Sequence, residues 1–161
     1  MIKGMQEVIQ VMEKAKEDLE DVKASLEKAL ADAEAAATQA KADLEANGGL
    51  KQVVFVACGG SFASSYPARY LLNQEGTIRV QGYNASEFVN ATPRNIDKNT
   101  LVIGTSTKAT AETVEAIRVA NEKGAVTVGL SGYPDSLTAQ TARYYITYYH
   151  ADEWYQDPTL V

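Results

Sequence analysis

Two segments of hydroxyl and glycine residues follow directly on apolar runs. Cys58-Gly59-Gly60-Ser61 comes after Val53-Val54-Phe55-Val56-Ala57, and Thr105-Ser106-Thr107-Lys108-Ala109-Thr110 comes after Leu101-Val102-Ile103-Gly104. Where such a segment opens a helix, unpaired backbone N–H groups and the positive end of the helix dipole favour an anion. Ser and Thr hydroxyls add donors without the desolvation cost of a buried cation. The two segments together predict a pocket for a phosphate group. The first of them also fits an ordinary tight turn in which glycine only permits unusual backbone angles. It lacks the G-x-G-x-x-G spacing of a dinucleotide site, and no G-K-[ST] follows to make a P-loop.

Three other residues have the chemistry for a reaction. Glu87 is a candidate general base for moving a proton between adjacent carbons; the plainer reading is a first-turn acid of a short helix capped by Ser86 or Asn84. His150 is the only histidine and falls where the last strand ends, the ligand edge of an α/β sheet; it is a candidate acid or hydroxyl ligand, or simply exposed. Cys58 is the only cysteine, with no His or Asp tied to it by motif, and is expected to be a packed thiol. One His and one Cys make no ligand cluster, and the acids show no metal-loop spacing, so neither a metal nor a cofactor is expected. The Tyr144-Tyr145 and Tyr148-Tyr149 pairs read as strand residues without assigned chemistry.

The elements that must position these residues follow from periodicity. Strands are expected near 52–57, 78–82, 101–105, 125–130 and 143–149, with helices near 62–74, 85–91, 110–123 and 135–142. Pro67 predicts a kink or irregular turn after Ser61. Thr110 is the expected N-cap of the third of these helices and Gly124 its C-terminal stop. The alternation predicts a three-layer α/β domain with a five-stranded parallel sheet. If the strands take the flavodoxin-like order 2-1-3-4-5, the loops after the first and third strands flank the crevice where the winding reverses.

Ahead of this domain, Met5 to Leu44 contains no Pro or Gly, and apolar residues recur at steps of three and four. One seven-residue series is Met5, Met12, Leu19, Leu26, Ala33, Ala40; the other is Val8, Ala15, Val22, Ala29, Ala36. About 40 residues at 1.5 Å each make a helix of roughly 60 Å, ended by Asn47-Gly48-Gly49. The expected organisation is therefore a helical arm over 1–47 and the α/β domain over 48–161. The arm is either solvated or associates with a second copy or its own domain, and its Ala-rich carboxy-terminal part should be the weaker half. Self-association into a homo-oligomer, a dimer through the arm, the domain or both, is expected.

Of the 161 residues, 45% are hydrophobic, which suits one globular domain with a real core. The net charge of −6 belongs to the arm: residues 1–47 hold six Lys and eleven Asp or Glu, while the remainder carries only −1. The domain is nearly neutral, without a basic patch, which argues against nucleic acid. No window is apolar for long enough to cross a bilayer, the amino terminus lacks a signal-peptide core, and a single cysteine allows no internal disulfide; a cytoplasmic location is expected.

Val56-Ala57-Cys58-Gly59-Gly60-Ser61, Tyr66-Pro67-Ala68, Ser86-Glu87-Phe88, Ser106 to Thr113 running into Glu115-Ala116-Ile117-Arg118, and Gly124-Ala125 before Val128-Gly129-Leu130 resemble the sugar isomerase (SIS) family. The similarity covers roughly 49–149 and is nearest to the first of two SIS domains in fructosamine-6-phosphate deglycases. It implies that Gly59, Gly60, Ser61, Ser106, Thr107 and Thr110, with nearby amides, hold a sugar phosphate, and that Lys108 either adds a point charge or is solvated. Family loops usually read Ser-x-x-Gly-x-Thr-x-Glu-Thr; the segment from Ser106 to Thr113 is one residue shorter and lacks the glycine. In the tandem deglycases the catalytic Glu and His are attributed to the second domain, which this chain does not contain. The chain ends soon after the fifth strand, as a fragment or redesign would.

Three functions follow as expectations. The first is a phosphosugar-binding domain of an isomerase or deglycase lineage, with Glu87 and His150 as candidate catalytic groups. The second is a non-catalytic sugar-phosphate sensor. The third is a structural or engineered module that self-associates through its helix.

Overall fold

The computed structural model describes residues 2–148, which form a 45-residue helix, α1 (Ile2–Ala46), followed by alternating strands and helices. In order these are β1 (Gln52–Ala57), α2 (Gly59–Ser64), α3 (Tyr66–Glu75), β2 (Arg79–Asn84), α4 (Ala85–Asn90), β3 (Thr100–Thr105), α5 (Ala111–Glu122), β4 (Val126–Ser131), α6 (Leu137–Thr141) and β5 (Tyr144–Thr147). The strands form one parallel sheet, as the alternation predicted, and take the flavodoxin-like order β2-β1-β3-β4-β5. The expected helix over 62–74 is in fact two. It breaks at Ser65, where Pro67 occupies the first turn of α3, a position that needs no N–H.

Side-chain alternation sorts the strands between two helical layers. On one face, Val54, Val56 and Val102 pack with Phe88 of α4 and with Ala116 and Ala120 of α5, all fully buried. Ile117 of α5 lies over Gly104, where an added Cβ would come within 2.5 Å of Ile117 Cδ1; glycine is what lets α5 approach β3. On the other face, Val126 and Val128 of β4 pack with Ala40 and Leu44 of α1. The Ala-rich half of the helix, expected to be the weaker, is therefore the half that docks on the sheet. Small side chains let the helix axis come close, while the larger Met5, Met12 and Leu19 stay exposed.

The junction between α1 and the sheet is held by polar contacts. Gly48 and Gly49, at φ 98° and 96°, turn the chain out of the helix, and the Gly49 N–H caps the Leu44 carbonyl at 2.8 Å. The buried Asn99 amide donates to the carbonyls of Asn47 (2.8 Å) and Gly49 (2.7 Å), and Asn47 returns a bond to the Lys98 carbonyl at 2.9 Å. Asp43 accepts from the Tyr144 hydroxyl at 2.6 Å and pairs with Arg143 at 3.0 Å, tying α1 to β5. By contrast, the Lys16–Glu20, Lys23–Glu27 and Lys41–Glu45 pairs along the helix are exposed and contribute little.

Two outcomes test this junction. Asn99→Ala leaves two carbonyls without their donor and should lower unfolding free energy by about 1–3 kcal/mol, measured by urea denaturation. The hydrogen bond to Asp43, with burial and the Asp43 charge adding to it, raises the Tyr144 pKa above its ordinary 10.0. A folded-state pKa raised above the unfolded one means that the contact stabilises at every pH below the unfolded value and is lost as pH rises through the folded value. Ultraviolet titration should show one late-titrating phenol, which Asp43→Asn moves earlier.

Candidate functional site

β1 and β3 are adjacent and pair in register, so their last residues, Ala57 and Thr105, lie side by side. From this point β1 connects outward to β2 on one side and β3 to β4 on the other, the crossover point at which open α/β sheets bind ligands. The two following loops meet there around a cavity of about 400 Å³ lined by Gly60, Ser61, Ser64, Thr105, Thr107, Leu130 and Tyr148. The loops expected to converge do converge.

The first wall is the start of α2. Gly59 sits at φ 51°, the left-handed region that suits glycine, and turns the chain sharply from strand to helix. Cys58 occupies the N-cap position in extended conformation with no side-chain cap. The first-turn amides of α2 therefore lack a side-chain cap, and the same turns contribute Ser61 and Ser64 to the cavity lining, the Ser64 hydroxyl donating back to the Ser61 carbonyl at 2.8 Å. Cys58 itself is half-buried against the core, as expected of a packed thiol.

The second wall is the loop after β3, which keeps its shape without glycine. The Ser106 N–H donates to the Leu130 carbonyl at 3.0 Å, and the Ser106 hydroxyl accepts the Thr110 N–H at 3.0 Å while sharing a 3.1 Å bond with the Thr110 hydroxyl. The Thr107 carbonyl takes the Gly132 N–H (3.0 Å) and the Ser131 hydroxyl (3.1 Å). These contacts fix Thr107 so that its hydroxyl reaches the cavity, where Tyr148 donates to it at 3.1 Å. Thr110 takes the N-cap position of α5, but its side chain makes no cap bond; the Ser106 hydroxyl receives the Thr110 amide instead.

The structure thus divides the residues predicted from sequence. Gly60, Ser61 and Thr107 line the cavity, and Gly59 shapes its rim. Ser106 and Thr110 face each other inside the loop and brace it. Lys108 stands over the Tyr133 ring, 5.7 Å from its centroid, and lines a separate cavity of about 310 Å³ with Asp135 and Ser136. Glu87 is an exposed first-turn acid of α4, a helix capped by Asn84, whose side chain accepts the Ser86 N–H at 3.1 Å; it does not line the cavity. His150 falls outside the described residues.

Ser64, Thr105 and Tyr148 are lining residues that the sequence reading missed. Two of them had a signal. Ser64 follows Ser61 by three residues, one helical turn, and so shares its face. Thr105 has the same parity as Leu101 and Ile103, which places it on the cavity side of β3, whereas Ser106 has the opposite parity. Tyr148, just past the end of β5, reaches the site through its hydroxyl contact with Thr107, which sequence spacing does not specify.

Comparison with known proteins agrees with this geometry. The SIS domain family model matches residues 50–155. Fructosamine deglycase FrlB of Bacillus subtilis (strain 168) is 40% identical over 106 residues, covering 65% of this chain and 32% of that protein. A glutamine–fructose-6-phosphate aminotransferase (isomerizing) of Aquifex aeolicus is 37% identical over 81 residues, 50% of this chain and 14% of that protein. A crystal structure of a candidate phosphosugar isomerase from Salmonella typhimurium LT2 superposes with a TM-score of 0.63 at 40% identity, covering 72% of this chain and 36% of that one. The chain thus spans about a third of the length of the deglycase it matches. With a parallel sheet in the order β2-β1-β3-β4-β5, the two loops in place and a family match over 50–155, the chain belongs to the SIS domain family.

Proposed function

We propose that the cavity between the β1 and β3 loops binds the phosphate of a sugar phosphate, and that this chain is a phosphosugar-binding domain of an isomerase or deglycase lineage. The observation that carries the reading is the convergence of the uncapped start of α2 with the hydroxyl-bearing Ser61, Thr105 and Thr107 on one 400 Å³ cavity at the reversal point of the sheet. Neutral donors suit a dianion, because each N–H or O–H aimed at the charge replaces a water that the phosphate gives up. The names of the relatives, a fructosamine deglycase and fructose-6-phosphate aminotransferases, support a six-carbon ketose phosphate or its amine adduct as the ligand class.

Binding is favoured over complete catalysis by the same lining. It holds no carboxylate and no imidazole among the described residues, and moving a proton next to a carbonyl needs a base within hydrogen-bond reach. If the chain turns over substrate, the route is ring opening, proton abstraction beside the carbonyl or iminium carbon, and an enediol or enaminol intermediate. Glu87, just past the C-terminal end of β2, and His150, two residues beyond Tyr148, are the groups proposed for the proton.

Titrating fructose-6-phosphate and glucose-6-phosphate against the melting temperature tests the reading, with unphosphorylated fructose as control. A ligand at 100 times its Kd adds about 2.7 kcal/mol, a readily measured shift; no shift with either phosphate would overturn the proposal. Gly60→Ala should fold at least as well as the parent, since an added Cβ meets nothing within 4 Å and Ala is the better helix residue, yet it should weaken the ligand shift by filling the cavity. Thr107→Val should weaken binding about tenfold or more, because a hydrogen bond to a charged group contributes about 1.5–3 kcal/mol. Lys108→Ala, whose side chain faces Tyr133, should leave affinity within about twofold, a difference below about 0.5 kcal/mol.

A further inference from the structure

Two apolar surfaces lie open on the same side of the molecule. One is a trough of about 730 Å³ alongside the docked half of α1, with Ala37, Ala40 and Leu44 on its helix wall and Ile103, Val128 and Ile146 on its sheet wall. Parallel sheets bury both faces, and β3 is the central strand, yet Leu101 and Ile103 are only half-buried on this side. The other is the amino-terminal part of α1, where eight large apolar side chains between Met5 and Leu30 are 48–69% exposed. Their helical spacing forms a stripe that needs a partner.

We propose that each surface is the partner of the other across two copies of the chain. The α1 helices pair antiparallel, and the amino-terminal part of each lies in the trough of the second copy. Spacing fits this arrangement: Met12, Val8 and Met5, read backwards, step by four and three, as do Ala37, Lys41 and Leu44 along the trough wall. The arm from Met5 to Leu19 is about 21 Å long, and the helix wall of the trough from Ala37 to Glu45 about 12 Å, so the arm spans it.

Size complementarity sets the direction. Antiparallel pairing puts the large side chains of the first half against the less buried Ala33 and Ala37 of the second half, so the interaxial distance stays even along the pair. An in-register parallel coil cannot form along the whole stripe, because Ala40, in the same heptad series as Met12, already packs against Val126 and Val128 of its own chain. The antiparallel exchange is also two-fold symmetric and closed, since each copy gives one arm and receives one, leaving neither surface over.

Sedimentation of the full chain at tens of micromolar should give a dimer; a monomer would overturn the proposal. Val8→Glu and Ala37→Glu alter exposed positions on opposite sides of the proposed contact. Each should give a monomer whose domain still unfolds cooperatively, and a persisting dimer counts against the exchange. In a Cys58→Ser background, the pair Met12→Cys with Ala37→Cys should oxidise to a covalent dimer. Met12→Cys alone should not, because the two copies of position 12 would lie about 37 Å apart; a disulfide between them would establish parallel coiling instead.

Discussion

The in-register parallel pairing of β1 with β3 is the constraint on which the site rests. Ala57 sits beside Thr105, and Thr105 beside Leu130 of β4, so three strands end at one level and their loops open onto one cavity. A slip of one residue would turn Val54, Val56 and Val102 out of the core beneath Phe88 and move Thr105 to the wrong face. The register is thus enforced by buried aliphatic side chains on the face away from the cavity. Hydrophobic alternation, not the loop chemistry, decides which hydroxyls are presented.

The same parity argument explains how the β3 loop divides its work. Thr105 and Thr107 differ by two and both line the cavity, while Ser106 between them points the other way and closes a ring with Thr110. A side-chain bridge of this kind competes with backbone turns and can hold a loop that carries no left-handed residue. Among the described residues positive φ occurs only at Gly48, Gly49, Gly59 and Gly124, none of them in this loop. The absence of the family's usual glycine is therefore accommodated by hydroxyls already in the segment.

Most of the architecture could be read from the chain before any coordinates. Apolar or alternating runs ending in Gly or polar clusters gave the strands to within a few residues, and the flavodoxin-like order inferred for them is the order the sheet takes. Pro67 announced an irregular turn after Ser61, and the break at Ser65 is that irregularity. Two things were not readable. The docking of the Ala-rich half of α1 depends on the shape of the sheet face it meets, which a heptad pattern does not describe. The contribution of Tyr148 depends on a hydroxyl contact with Thr107, far from it in sequence. Local chemistry identified the loops, and long-range packing chose which of their side chains line the cavity.

The long helix joins these levels. Its last turns form half of one covering layer over β4 and β5, secured by Asn99 and Asp43, so α1 is as much part of the sheet's cover as α5 is on the other face. Small residues there allow close approach but cover little width, which is why an open apolar trough runs beside them above β3. A wider side chain at Ala37 would cover part of that gap, whereas one at buried Ala40 would push the helix away from Val128, exchanging one exposed surface for another. The alanines commit the domain to a close helix and an open flank, and the flank lies next to Leu130, which lines both the trough and the cavity between the β1 and β3 loops. A group covering the trough would therefore touch a side chain that also lines that cavity.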